Sequence, residues 1–438
     1  MKTIDCLIQP RWIAPVIPQG KLLEACAIAV HEGVIIDICT AKVATQRYQP
    51  IKHYELPEHL LFPGLINSHG HAAMTLLKGY ADDQPLKHWL EQHIWPAEAQ
   101  HVSFDFVSQG TERAMAEMLL SGTTCFSDMY FYPEAAAKVV HASGMRAQLC
   151  FPVLDFPTPG TTSVDEYFSK GLKLHDEMRN HAKISVAFGP HAPYTVSDEH
   201  LERVAVLASE LDACIQIHLH ETSEEVETSL ASYGMRPIER LAKLGILGPK
   251  TQCVHMTQIT ERDLQLLADY QCHVIHCPES NMKLAGGICP SDKVQRAGIN
   301  IALGTDGAAS NNDLNMIGEM KTAALIGKVA AGRADALSAH DILSMATING
   351  AKALGLEDKI GSIEIGKRAD LAALKIDGLD APVYDPVSHL VYTDCAQAIS
   401  HVWVDGRLLV ENRSLKTLDQ AAIIESTQAW QTKIANKF

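Results

Sequence analysis

Residues 63–74 read PGLINSHGHAAM, a short apolar run that ends in two histidines separated by one glycine. On an extended segment, residues two apart point to the same side. His69 and His71 therefore present their imidazoles together, and Gly70, lacking a side chain, leaves room for a metal close to the backbone. The run that carries them, LLFPGLIN, is the first of eight strand-like segments; TTCFSDM, RAQLCFPV, ISVAFGPH, CIQIHLHE, TQCVHM, CHVIHCP and NIALGTD follow in order. Longer stretches such as FVSQGTERAMAEMLL and ERDLQLLADY, with apolar residues at helical spacing, separate them. Eight strand and helix units in series predict an α/β chain built on a closed parallel (β/α)8 barrel of the TIM type. The competing arrangement, a doubly wound open sheet, usually takes fewer strands and often opens on a Gly-rich turn, and the chain has no G-x-G-x-x-G.

The ends of the chain follow another pattern. Short strand-like pieces (IDCLIQP, ACAIAV, VIIDIC) with turns and no convincing helix fill residues 1–58, and the same style resumes after residue 358 in ADLAAL and ISHVWVDGRLLV. They predict a small β-sandwich domain made by both termini, residues 1–58 and 359–438, beside a barrel of residues 59–358.

Apolar residues make up 47% of the 438 and charged residues 20%, the balance of a soluble globular protein. No stretch approaches the roughly 18 uncharged apolar residues of a membrane span. The opening MKTIDCLIQPRWIAP lacks the basic segment and unbroken apolar stretch of a secretory signal, which points to the cytoplasm. The 11 cysteines are scattered and form no C-x-x-C pair, the usage of small buried hydrophobes rather than of a disulfide framework. A net charge of -15 argues against nucleic acid and anionic lipid as partners, since both need clustered Lys and Arg, and suits a small neutral or cationic ligand.

In such a barrel the reactive groups gather where strands end and the following loops begin. Those positions hold His69 and His71 after the first strand, His191 after the fourth, His218, His220 and Glu221 around the fifth, His255 after the sixth and Asp306 after the eighth. A solitary histidine there is more often a packing residue than a ligand, but H-x-H on the first strand joined by histidines on the fifth and sixth and an aspartate on the eighth is a metal-site pattern with one position left for water. Strand alternation puts His218 and His220 on the same side, so the residues alone do not choose between them. His273 and His276, near the seventh strand, read as structural or pocket-lining. GSIEIGKR, residues 361–368, has phosphate-loop spacing, yet Arg368 stands where Ser or Thr is required. The H-E-x-x-H helix of zinc proteases and the H-x-E with P-C-x-x-C signature of cytidine-deaminase-type enzymes are absent.

Taken in order, PGLINSHGH, HLHET, VHM, HCPESN, GTDGAASNN and GKRADLAAL resemble the amidohydrolase superfamily over nearly the whole chain. Within it, WLEQHIWPAEA and GPHAPYTVS are similar to the 5-methylthioadenosine/S-adenosylhomocysteine deaminase group. The resemblance implies the barrel with its terminal β-sandwich and selects His218 as the fifth-strand ligand. The metal set it implies is His69, His71, His218 and Asp306, holding one divalent ion per chain, zinc with iron or manganese as alternatives. No lysine ends the fourth strand, which argues against the superfamily's two-metal members. Relatives of this kind imply a homodimer or larger homo-oligomer.

Three neutral imidazoles and one carboxylate leave a divalent ion net positive, able to lower the pKa of bound water towards 7. The reading is hydrolytic deamination of the adenine ring: Glu221 protonates the ring nitrogen, His255 orients the attacking water, and Asp306 relays its proton to the departing amine. By resemblance, Glu98 accepts hydrogen bonds from the ribose hydroxyls, His191 contacts the purine nucleoside and Trp89 walls the pocket; from the residues alone, Glu98 reads as a solvated surface carboxylate. Cys150 stands where the family often has an arginine, so a missing cationic contact favours 5′-methylthioadenosine over S-adenosylhomocysteine, with Arg146 the nearby alternative cation. Deamination or dechlorination of another aminated ring, of guanine or triazine type, is the competing activity. A non-catalytic scaffold of the same fold would have lost ligands, and all are present.

Overall fold

The computed structural model describes residues 1–435. The terminal region opens with β1 (Lys2–Ile13), β2 (Leu23–Glu24), β3 (Cys26–His31), β4 (Val34–Thr40) and β5 (Tyr48–Pro63). Eight parallel strands follow: β6 (Leu65–Gly70), β7 (Thr123–Met129), β8 (Arg146–Val153), β9 (Ile184–Pro190), β10 (Ile215–Leu219), β11 (Thr251–His255), β12 (His273–His276) and β13 (Asn300–Leu303). They stand in sequential order from β6 to β13 in one sheet. Every residue of β7 and β8 is buried, as expected of parallel strands covered on both faces.

The first and last strands meet to close the barrel. Asp306 N donates to His69 O at 3.0 Å and Thr305 N donates to Asn67 Oδ1 at 3.0 Å. Gly304 sits at this seam, where an added Cβ would lie 2.7 Å from the His69 nitrogen, so only glycine fits.

The run LLFPGLIN divides between two sheets. Leu60–Pro63 finishes β5, paired with β14 (Leu371–Lys375), and Leu65 begins the barrel after a single glycine. Both termini build one mixed nine-stranded sheet, in which β14, β15 (Ile399–Val404), β16 (Arg407–Glu411) and β17 (Ser414–Leu415) extend outward from β5, and β1, β3 and β4 from its other side. Ile8, Ile28, Leu61, Leu371 and Trp403 from five of these strands share one apolar cluster. ADLAAL supplies β14, and ISHVWVDGRLLV is the β15–β16 hairpin, turned at Asp405 and Gly406 with positive φ.

The terminal regions also hold helices that the strand pattern did not suggest. Ala41–Arg47 is helical although only Ala44 is buried, which leaves no apolar periodicity to read. Helices also form at Pro386–Tyr392 and Gln420–Ala435; Trp430 of the last packs edge-on against Phe106 of the barrel helix Phe104–Leu120, with ring centroids 5.1 Å apart. Among the described residues, no helix is long and apolar enough to cross a membrane.

Arg146 joins the two regions. Its guanidinium, at the start of β8, forms a buried two-point ion pair with Asp370 at 2.8 and 3.1 Å, and Asp405 N donates to the same carboxylate. It is therefore at the end of the barrel opposite the strand termini that carry His69, His218 and Asp306, and offers no charge to a ligand there.

Candidate metal centre and pocket

His69 lies within β6 and His71 just beyond it, His218 within β10, and Asp306 three residues after β13. One donor atom from each lies within 4.8 Å of every other, which makes the four a candidate metal set. Asp306 Oδ1 is 3.5 Å from His69 Nε2 and 3.2 Å from His71 Nε2, and His218 Nε2 is 3.2 Å from His69 Nε2. The backs of two rings meet groups that can only accept: His71 Nδ1 donates to Met129 O at 2.6 Å and His218 Nδ1 to His191 O at 2.7 Å. With protons on Nδ1, their Nε2 lone pairs point inward beside a carboxylate, the donor geometry a divalent cation needs. Ser280 Oγ and Ser310 Oγ donate to Asp306 Oδ2 at 2.6 and 2.8 Å, leaving Oδ1 turned to the histidines.

The electrostatics agree with that fit. Burial alone would raise the Asp306 carboxyl, but the His69 and His71 imidazoles that face it hold it well below the usual range. Burial would likewise lower His71, yet Asp306 overrides it and carries that imidazole up to about 9. Without a cation, a proton on His71 offsets the carboxylate, and a metal binding there would displace it.

Glu221, two residues after β10, has its Oε1 3.7 Å from His255 Nε2. Burial, reinforced by the Asp306 charge, pushes its carboxyl up to about 8, so it holds a proton at neutral pH. His191 is pushed down to about 3 by burial and its histidine neighbours, and stays neutral. Glu98, on the helix Trp95–His101, is buried rather than solvated; burial raises it to about 7 against the hydrogen bond that Tyr130 donates to it at 2.7 Å.

These groups open into a cavity of about 350 Å³. His71, His218, His255, Asp306, Glu221 and His191 line its floor, with Glu98 to one side. Trp89, Leu90, Ile94 and Trp95 form one wall; Leu154, Phe156, Pro157 and Pro159 form the other, and the Trp95 and Phe156 rings stand 6.2 Å apart. Among the described residues, no lysine or arginine lines the cavity.

His220 does not join the site. Its backbone is left-handed (φ 53), which breaks strand alternation and sends the ring into the protein, where Nε2 accepts from Ile238 N at 3.2 Å. His273 lies against Pro249 O, and His276 is buried outside the cavity lining. Cys150 packs with Met129, Ala187 and Cys214 and does not reach the cavity wall, so it cannot mark a missing substrate contact; the absent cation is read from the lining residues instead. Sequence reasoning missed Tyr130, Asn281, Gln216, Ser280 and Ser310. Gln216 alone left a usable signal, two residues before His218 on the same face of its strand.

A parallel barrel that gathers three imidazoles, a carboxylate and a proton-bearing glutamate at its carboxyl-terminal end has the build of a metal-dependent hydrolase. The chain belongs to the amidohydrolase family, whose model matches residues 60–409. It is 56% identical over 431 residues to a 5-methylthioadenosine/S-adenosylhomocysteine deaminase of Saccharophagus degradans, covering 98% of this chain and 97% of the relative. A deaminase of the same name from Teredinibacter turnerae is 54% identical, with 99% of each chain covered. Among solved structures, a zinc-bound adenosine deaminase from Xanthomonas campestris superposes with a TM-score of 0.98 at 44% identity, covering 99% of both chains.

Proposed function

We propose that this chain is a divalent-metal-dependent deaminase that hydrolyses the exocyclic amine of 5′-methylthioadenosine, releasing ammonia and the hypoxanthine nucleoside, with S-adenosylhomocysteine and adenosine as poorer substrates. The observation that carries this reading is one cavity where a metal donor set, Glu221 and a buried Glu98 meet. A divalent ion on His69, His71, His218 and Asp306, zinc in our reading and one per chain, supplies Lewis acidity and lowers the pKa of water.

The chain's own residues do the rest. Glu221 donates its proton to the ring nitrogen next to the reacting carbon, making that carbon electron-poor. His255, held by Asn281 Oδ1 at 2.8 Å, orients the attacking water. Asp306 takes one proton from that water and delivers it to the amine as the C–N bond breaks; the water's oxygen stays on the ring, its second proton returns to Glu221, and ammonia leaves. His191, neutral, faces the purine, Glu98 accepts from the ribose hydroxyls, and Trp89 closes the wall. A methylthio group buries apolar surface against the aromatic lining, whereas the amino-acid end of S-adenosylhomocysteine brings a carboxylate to a cavity that, among the described residues, no lysine or arginine lines.

Steady-state ammonia release on 5′-methylthioadenosine, S-adenosylhomocysteine and adenine, with metal content measured on the same sample, tests the proposal. The expected order in kcat/KM is as written, with adenine far below because it lacks the charged hydrogen bonds to Glu98, each worth about 1.5–3 kcal/mol. A higher kcat/KM for S-adenosylhomocysteine than for 5′-methylthioadenosine would overturn the preference, and no ammonia from any nucleoside would overturn the activity.

A further inference from the structure

Below the donor set, the barrel interior holds a chain of side-chain amides. Gln216 Oε1 is 2.7 Å from His69 Nδ1. Gln216 Nε2 lies 2.6 Å from Gln252 Oε1 and 3.0 Å from Ser68 O, with Ser127 Oγ at 3.1 Å. Gln252 Nε2 lies 2.7 Å from Ala353 O and 3.0 Å from Gln148 Oε1. Both glutamines are fully buried.

An amide can be turned end for end, but here two backbone carbonyls decide the direction, because a carbonyl can only accept. Ala353 O requires the NH2 of Gln252, which turns that residue's oxygen towards Gln216. Ser68 O and the Gln252 oxygen then both require the NH2 of Gln216. Only its oxygen is left for His69, so His69 must donate from Nδ1 and keep Nε2 free.

We infer that Gln216, held by Gln252, is a positioning residue that sets the proton of His69 on Nδ1 and thereby keeps its Nε2 lone pair facing the metal position. Gln252 touches no candidate ligand and acts only through Gln216. The inference rests on the donor-set reading and is independent of which nucleoside is hydrolysed.

Zinc affinity of the metal-stripped protein, measured by competition with a chromophoric chelator, tests it without substrate. Gln216→Met keeps the length of the side chain and removes its acceptor; its zinc affinity is expected to fall about 10–100-fold. Gln252→Met, which frees Gln216 to turn over, is expected to lose a smaller amount, at least about threefold, within the same range of outer-partner effects. The thermal midpoint of each metal-free variant separates positioning from packing. Lower midpoints with zinc affinities within twofold of the parent would overturn the inference, leaving the glutamines a structural role. If Gln216→Met does not fold, Gln252→Met decides by the same criterion. A parent protein that binds no zinc would overturn the donor set itself, a result the variants cannot mimic.

Discussion

Arg146 at the amino-terminal end of the barrel strands is as thoroughly buried as Asp306 at the carboxyl-terminal end, yet the two charges are treated differently. Around Arg146, Nε and Nη2 meet Asp370 and Nη1 meets Ala182 O at 3.1 Å, so its polar demand is met within the chain. Around Asp306, the Nε2 atoms of His69 and His71 lie 3.5 and 3.2 Å from Oδ1, and that of His218 lies 3.2 Å from His69 Nε2. Buried polarity that is internally satisfied holds the barrel to the terminal sheet. Buried polarity that converges from several strands on one point is a place prepared for something else.

That contrast can be broken by substitution. Glu221→Gln removes the proton donor while keeping shape, and kcat is expected to fall about 10²–10⁴-fold with zinc affinity and denaturation midpoint unchanged. Turnover near that of the parent would take Glu221 out of the chemistry. Asp370→Ala strips Arg146 of its partner and is expected to cost about 3–5 kcal/mol of stability, read from urea unfolding, while zinc affinity stays as it was. If zinc binding weakened along with stability, the two ends would not be separable. The smallest effect concerns Glu98, whose carboxyl burial raises to about 7. Above that pH it is ionised and, in the proposed role, able to accept from ribose; one unit below, about a tenth remains ionised. KM is therefore expected to rise up to about tenfold as pH falls from neutrality, and the slope is expected to vanish in Glu98→Gln, a variant whose retained slope would assign the titration elsewhere.

How much of this was legible in the sequence depended on range. The eight barrel strands stood out because each is a short segment rich in apolar residues between longer helix-like stretches, and His69 with His71 stood out because alternation is local. His220 defeated the same rule: its left-handed backbone (φ 53) leaves no mark in the letters HLHET. Glu98 looked exposed because its helix offers no steady apolar stripe, and its burial comes from Tyr130 and the cavity walls. The Arg146–Asp370 pair joins residues 224 apart, a distance no spacing rule spans. Gln216 was within reach, since alternation from His218 places it inside the barrel, but a glutamine among histidines does not announce a role until its partners are seen.

The seam at Gly304 has a consequence for timing. His69 comes from the first barrel strand and Asp306 follows the last, and the backbone bond between them forms only when those strands meet. A ribosome delivers the histidines of the first and fifth strands well before the aspartate, at about 5–20 residues per second. Until the eighth strand arrives the donor set is incomplete, so a nascent chain cannot trap a stray cation in finished geometry. The donor set is complete only once the first and eighth strands have met.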